Sequence, residues 1–105
     1  MIGVLRRDGL WPPLVPSVVL VECPSGRQRT DALVNRFLKT CEILEELPLP
    51  LVRRAASLRA SARRGSAVDA IVVALAEPRG AVLSGDVGDL RALAAYANHV
   101  FVNRV

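Results

Sequence analysis

The chain has 105 residues, enough for one small domain with a modest core and a single site. At 51% hydrophobic, 23% charged and only 4% aromatic residues it belongs with packed globular chains rather than disordered ones, and its core has to be built from Leu, Val and Ala. A net charge of +4 and a pI near 10.0 favour a polyanionic partner, and no apolar run reaches the roughly 20 residues that cross a bilayer, which argues against a membrane protein.

Met1 to Asp8 has a helix-like composition that Gly9 would stop, although so short a helix has no stability of its own. In Trp11 to Val15 two prolines restrict strand material to Leu14 and Val15, a short strand. Pro16 and Ser17 form a helix entry, with Ser17 as N-cap and Val18 to Val21 as the first turns. Glu22 lies one helical turn beyond Val18. Either it faces a cleft at the edge of the core, or it marks the solvent face of a short helix ended by Cys23-Pro24. Cys23 and Cys41 lack a CxxC partner, so structural zinc is not expected. With no secretory segment present, the expectation is reduced thiols in the cytoplasm.

After a polar loop over Pro24 to Arg29, a helix is predicted from Thr30 or Asp31 to about Cys41, with Leu33, Val34, Phe37, Leu38 and Cys41 as its apolar stripe. Glu42 to Leu47 reads as a short strand punctuated by Pro48 and Pro50. From about Pro50 to Arg64 the spacing of Leu51, Ala55, Leu58 and Ala62 predicts a helix with a narrow apolar stripe, and Gly65 as its C-cap. The rest of that helix is basic, with Arg53, Arg54, Arg59, Arg63 and Arg64 and no acid between Glu46 and Asp69. Such one-signed clustering is either a solvated face or a set of RNA phosphate contacts.

Ser66 caps the next helix, and Asp69 completes an S-x-x-D capping box. Ile71 to Ala76 is apolar nearly all round, as in a helix packed in the interior, and Pro78 and Gly80 end it. Ala81 to Ser84 fits a parallel strand covered on both faces. Asp86 then caps a helix from Val87 to about Asn98, with Asp89 in its first turn and Leu90, Leu93, Ala94 and Ala97 on one face. Val100 to Val105 forms a last strand, and His99 is a polar loop residue. This order predicts an α/β domain with a parallel sheet and right-handed crossovers. Ligand sites in such sheets lie beyond the carboxyl ends of the strands, where Asp86 sits.

Glu22, Asp69 and Asp86 thus stand at helix or strand ends in apolar surroundings, with Asp89 near the third. Carboxylates clustered without His or Cys suit a hard cation, Mg²⁺ or Mn²⁺, held with retained waters. Such an ion activates water and stabilises in-line displacement at a phosphate. Helix capping accounts for the three aspartates equally well. No P-loop, GxGxxG, GxSxG or HExxH pattern occurs.

VPSVVLVE (Val15 to Glu22), AVDAIVVALA (Ala67 to Ala76), GAVLSGDVGDL (Gly80 to Leu90) and FVNRV (Phe101 to Val105) together resemble the later motifs of a PIN domain, in particular of VapC-type toxins. The resemblance runs in order over essentially the whole chain. It implies a three-layer α/β domain and a Mg²⁺- or Mn²⁺-dependent endoribonuclease, the toxin of a type II toxin–antitoxin pair, often homodimeric and held inactive by a cognate antitoxin. By the same resemblance Glu22, Asp69 and Asp86 are the catalytic metal ligands, and Asp89 matches an often acidic position beside them. The departure lies at the start. A PIN domain opens with a central strand ending in a metal-binding aspartate, and nothing before Trp11 resembles it; Met1 to Asp8 corresponds instead to the end of the second helix, and Asp8 is not given that role. The expectation is an N-terminally incomplete domain with two unpaired inner sheet edges, a poorly stable monomer and weakened cation binding. The alternatives are an inactive remnant that only binds protein or dimerises, and a plain α/β domain whose acids are caps.

Overall fold

A computed structural model of the chain describes residues 2–5, 12–22 and 26–105. The helix stop at Gly9, the residues Asp8 and Trp11, the Cys23 thiol and the Cys23-Pro24 turn lie outside these. In chain order the elements are β1 (Ile2–Leu5), β2 (Leu14–Pro16), a 3-10 turn (Ser17–Val21), α1 (Gln28–Leu38), β3 (Glu42–Leu44), α2 (Leu49–Ala62), α3 (Ala67–Ala76), β4 (Ala81–Ser84), α4 (Gly88–Ala94) and β5 (Phe101–Arg104). The domain is therefore α/β, and its five strands form one sheet in the order β3-β2-β1-β4-β5.

The sheet is mixed rather than parallel. β2 pairs parallel with β3 and β4 parallel with β5, but β1 is antiparallel to both β2 and β4. Four strands therefore share one direction, and only the middle strand is reversed. Two expectations fail here: Ile2 to Leu5 is strand rather than the tail of a helix, and the middle of the sheet is filled rather than left with two open edges. Chain length explains the reversal. Only residues 6–13 separate β1 from β2, and a parallel connection needs a crossover of a dozen or more residues. The strand pays little attention to its local composition because its partners decide it: Val4 is fully buried and stands in register with Leu14 on one side and Val82 on the other.

α3 packs against β1, β2 and β4 and is itself covered by α2 and α4. Its apolar circumference is used as expected, with Ala70, Val72, Val73, Ala74 and Ala76 buried, and Leu58 of α2 and Leu93 of α4 join the same core. α1 has no buried residue, and Leu33, predicted to lie on its core stripe, is 59% exposed. Several boundaries shift. α1 begins at Gln28 and stops at Leu38, β3 stops at Leu44, and α4 ends at Ala94. The left-handed C-cap of α2 is Arg63, at φ 54°, not Gly65, which takes a second positive φ of 88° in the same turn.

The arginine series on α2 is not one solvated face. Arg54 turns inward and holds Glu77, just past α3, through Nε to Oε1 at 2.8 Å and Nη2 to Oε2 at 2.9 Å. The backbone N–H of Asn98 donates to the same Oε2 at 2.8 Å, so one carboxylate ties α2, the end of α3 and the approach to β5 together. The Arg54 hydrogen bonds hold the Glu77 carboxyl below its ordinary value; burial opposes them, and the Asn98 N–H adds to the lowering. A depressed carboxyl contributes stability above its unfolded pKa of about 4.3, and that contribution disappears as the pH falls through the lower folded value. Glu77→Gln is expected to cost about 1–2 kcal/mol at pH 7, the lower part of the range for charged hydrogen bonds because Arg54 stays partly exposed. Urea melts of both proteins measured at pH 7 and then below pH 4 check this, with the gap closing at the acid end.

Candidate functional site

Because β2 to β5 run the same way, the carboxyl ends of β2 and β4 meet at one end of the sheet. Between them lies the amino end of β1, where Ile2 stands in register with Ser84. A cavity of about 540 Å³ opens at this end. Glu22, Asp69, Asp86 and Asp89 all line it, together with Ser66 and Ser84, and Val19, Val34, Val68 and Leu90 form apolar walls. The four acids singled out in the sequence are thus gathered around one space, although they come from three separate stretches of chain.

Their states differ. Glu22 is exposed and closes the 3-10 turn, its N–H donating to the Val19 carbonyl at 3.1 Å. The short helix expected here forms as a 3-10 helix over Ser17–Val21, and the β-branched Val18, Val19 and Val21 favour an α-helix poorly. Ser17 is not its cap, and its hydroxyl reaches the Glu45 carbonyl instead, at 3.4 Å. Asp69 completes the predicted capping box: its N–H donates to Ser66 Oγ at 3.0 Å, and its Oδ2 accepts from the Ser66 N–H at 3.4 Å. Capping and cleft-lining coexist here, because the cap engages only one carboxylate oxygen. Asp89 accepts from Arg64 at Oδ1, from Nε at 3.1 Å and Nη2 at 2.9 Å, in a solvent-exposed pair of small energetic weight.

Asp86 is not the cap it was expected to be. Val87 occupies the N-cap position of α4, with helical backbone angles and no capping side chain. The Asp86 carboxylate is exposed and has no hydrogen-bond or ion-pair partner among the described residues. Its backbone is fixed by Ser84, whose hydroxyl donates to the Asp86 carbonyl at 2.9 Å and accepts from the Asp86 N–H at 3.1 Å. Ser84 is 6% exposed and is the buried polar residue of the site. In the sequence it is the last residue of an apolar strand, and the signal for its role is a hydroxyl placed two residues before an aspartate, the spacing of a side-chain-locked turn.

The five arginines of the predicted RNA-facing surface divide. Arg54 is occupied by Glu77, and Arg53 lines neither cavity of the domain's surface described here. Arg59, Arg63 and Arg64 stay together at the end of α2.

Among the described residues no three His, Cys, Asp or Glu side chains stand close enough to share one ion. The acidic and hydroxyl side chains around the cleft all offer oxygens, and two carboxylates, Glu22 and Asp86, have no partner among the described residues. That fits a Mg²⁺ or Mn²⁺ ion that keeps its waters and takes one or two carboxylates together with substrate phosphate, rather than a caged ion. Among the described residues no helix is long and apolar enough to cross a membrane. No protein-family model, curated protein or solved structure matches the chain.

The two kinds of aspartate separate by stability. Asp69→Ala is expected to cost about 0.5–2 kcal/mol through loss of the capping box, whereas Asp86→Ala stays within about 0.5 kcal/mol of the parent. Chemical denaturation of the two variants reads this difference directly.

Proposed function

We propose that this chain is a PIN-type domain whose carboxylate cleft binds Mg²⁺ or Mn²⁺ and cleaves RNA, acting as the endoribonuclease toxin of a type II toxin–antitoxin pair in the cytoplasm, as a homodimer restrained by a cognate antitoxin. The observation that supports the reading is the convergence of Glu22, Asp69, Asp86 and Asp89 on one cavity at the shared carboxyl end of β2 and β4. Asp86 and the free oxygen of Asp69 are the residues to hold the ion, with Glu22 at the opening. The ion supplies an activated water and charge stabilisation at the phosphate under attack. Ser84 keeps the Asp86 turn rigid, and Arg64 offsets part of the negative charge through Asp89.

One observation favours a second reading, an inactive domain that binds protein partners only. The central strand presents its amino end to the cleft, and its last residue, Leu5, pairs with Ala81 at the opposite end of β4. The two readings separate in one assay of the purified chain on single-stranded RNA with Mg²⁺, with Mn²⁺ and with EDTA. The nuclease reading expects cleavage that EDTA abolishes and that Asp69→Asn or Asp86→Asn reduces at least about a hundredfold, the scale of losing one electrostatic contributor to a transition state. Cleavage retained in both variants rules that reading out. No cleavage by a folded chain that still binds the product of an adjacent small reading frame assigns the second.

A further inference from the structure

Beside the carboxylate cleft, where α2 turns into α3, lies a second cavity of about 430 Å³. Arg59, Arg63 and Arg64 line it with Gly65, Ala56 and Ala60, and no acidic residue takes part in the lining. The geometry points to a phosphate subsite at Arg59, Arg63 and Arg64 that receives the backbone of single-stranded RNA next to the phosphate lying in the carboxylate cleft. The inference rests on the polynucleotide reading of that cleft.

The three side chains are held in different ways, and each contributes. Arg59 is braced by one bond, Nε to the Gly65 carbonyl at 3.0 Å, and its terminal amino groups have no other partner among the described residues. A guanidinium already fixed at one edge loses little freedom on taking a phosphate at the other. Arg63 has no side-chain partner among the described residues, and it sits in the left-handed region at φ 54°, where a non-glycine residue is strained. Arg64 connects the two cavities. It lines the basic one while its Nε and Nη2 rest on Asp89, which lines the acidic one, so the Arg64–Asp89 pair is their common wall. A strand crossing that wall meets carboxylates on one side and guanidinium groups on the other. Ala56 and Ala60 leave the floor unobstructed. The end of α2 offers carbonyls rather than N–H donors, so the helix dipole gives no help and anion binding depends on the guanidinium groups themselves.

The test is fluorescence anisotropy of a labelled single-stranded RNA oligonucleotide with the full chain in EDTA, across a range of salt concentrations. Arg63→Gln is expected to weaken binding about fivefold or more at low salt and to flatten the plot of log K against log salt by about 0.7, the loss of one phosphate contact on a single strand. Arg63→Lys, which restores the charge, recovers most of the affinity. Arg36→Gln, an equal charge change on exposed α1 outside both cavities, changes it less than twofold. Circular dichroism melts establish that the variants are folded, and Arg64→Gln is a second probe of the same cavity. Equal losses for Arg63→Gln and Arg36→Gln, or no loss for Arg63→Gln and Arg64→Gln, overturn the subsite. Failure of the nuclease reading looks different: binding in EDTA then depends on Arg63 while Mg²⁺ produces no cleavage. Conversely, Mg²⁺-dependent cleavage with a KM unchanged by Arg63→Gln keeps the nuclease and removes the subsite.

Discussion

The two halves of the sheet are joined through the four residues of β1 and nothing else in the sheet. On one side Val4 meets Leu14, and on the other Ile2 to Leu5 run against Ser84 to Ala81. The acids of the cleft hang from opposite halves, Glu22 following β2 and Asp86 following β4, so the width and alignment of the cleft are set by how β1 spaces these strands. The spacing is closely fitted. A Cβ on Gly80 would stand 2.8 Å from the Leu5 carbonyl oxygen, which only glycine avoids, and one on Gly3 would stand 3.3 Å from Pro13 Cβ, a tight fit. A one-residue slip of β1 would turn Val4 out of the core and misalign the two ends of the cleft together.

Segments whose structure is decided locally were readable in the sequence, and segments decided by distant partners were not. The Ser66 cap, the all-round apolar α3 and the short apolar β4 announce themselves through capping chemistry, helical period and bounding turn residues; the first two form as expected, while β4 forms over the predicted residues but runs antiparallel to β1 and buries only Val82 and Ser84, not both faces. β1 is four residues followed by Arg6, Arg7 and Asp8, a composition that reads as a helix tail; it becomes strand because β2 and β4 hydrogen-bond it on both sides. Arg54 looked solvated for a similar reason. Its acid lies 23 positions away, at a proline-bounded helix end that gives no local hint of a partner. The four acids of the cleft were legible by type and position, but the division of labour among them was not, because capping depends on backbone angles that the sequence leaves open. Asp69 caps and Asp86 does not.

That division makes a crowded acidic site tolerable. Four carboxylates line one cavity, and neighbouring groups offset part of their negative charge. Arg64 offsets Asp89, and the N-terminal N–H groups of α3 offset Asp69. Glu22 and Asp86 remain, both exposed, so water screens them. These two are the cleft acids without a side-chain partner among the described residues.

The reversed middle strand also bears on the order of folding. β4, α4 and β5 are neighbours in sequence and can assemble through local contacts, whereas the pairing of Ile2 with Ser84 closes a loop over most of the chain and carries the entropy of that closure. A high contact order at the centre of the sheet is the arrangement that folds slowly. Until β1 docks, Val82 and its neighbours form an open apolar strand edge, the kind of surface through which folding intermediates associate with one another.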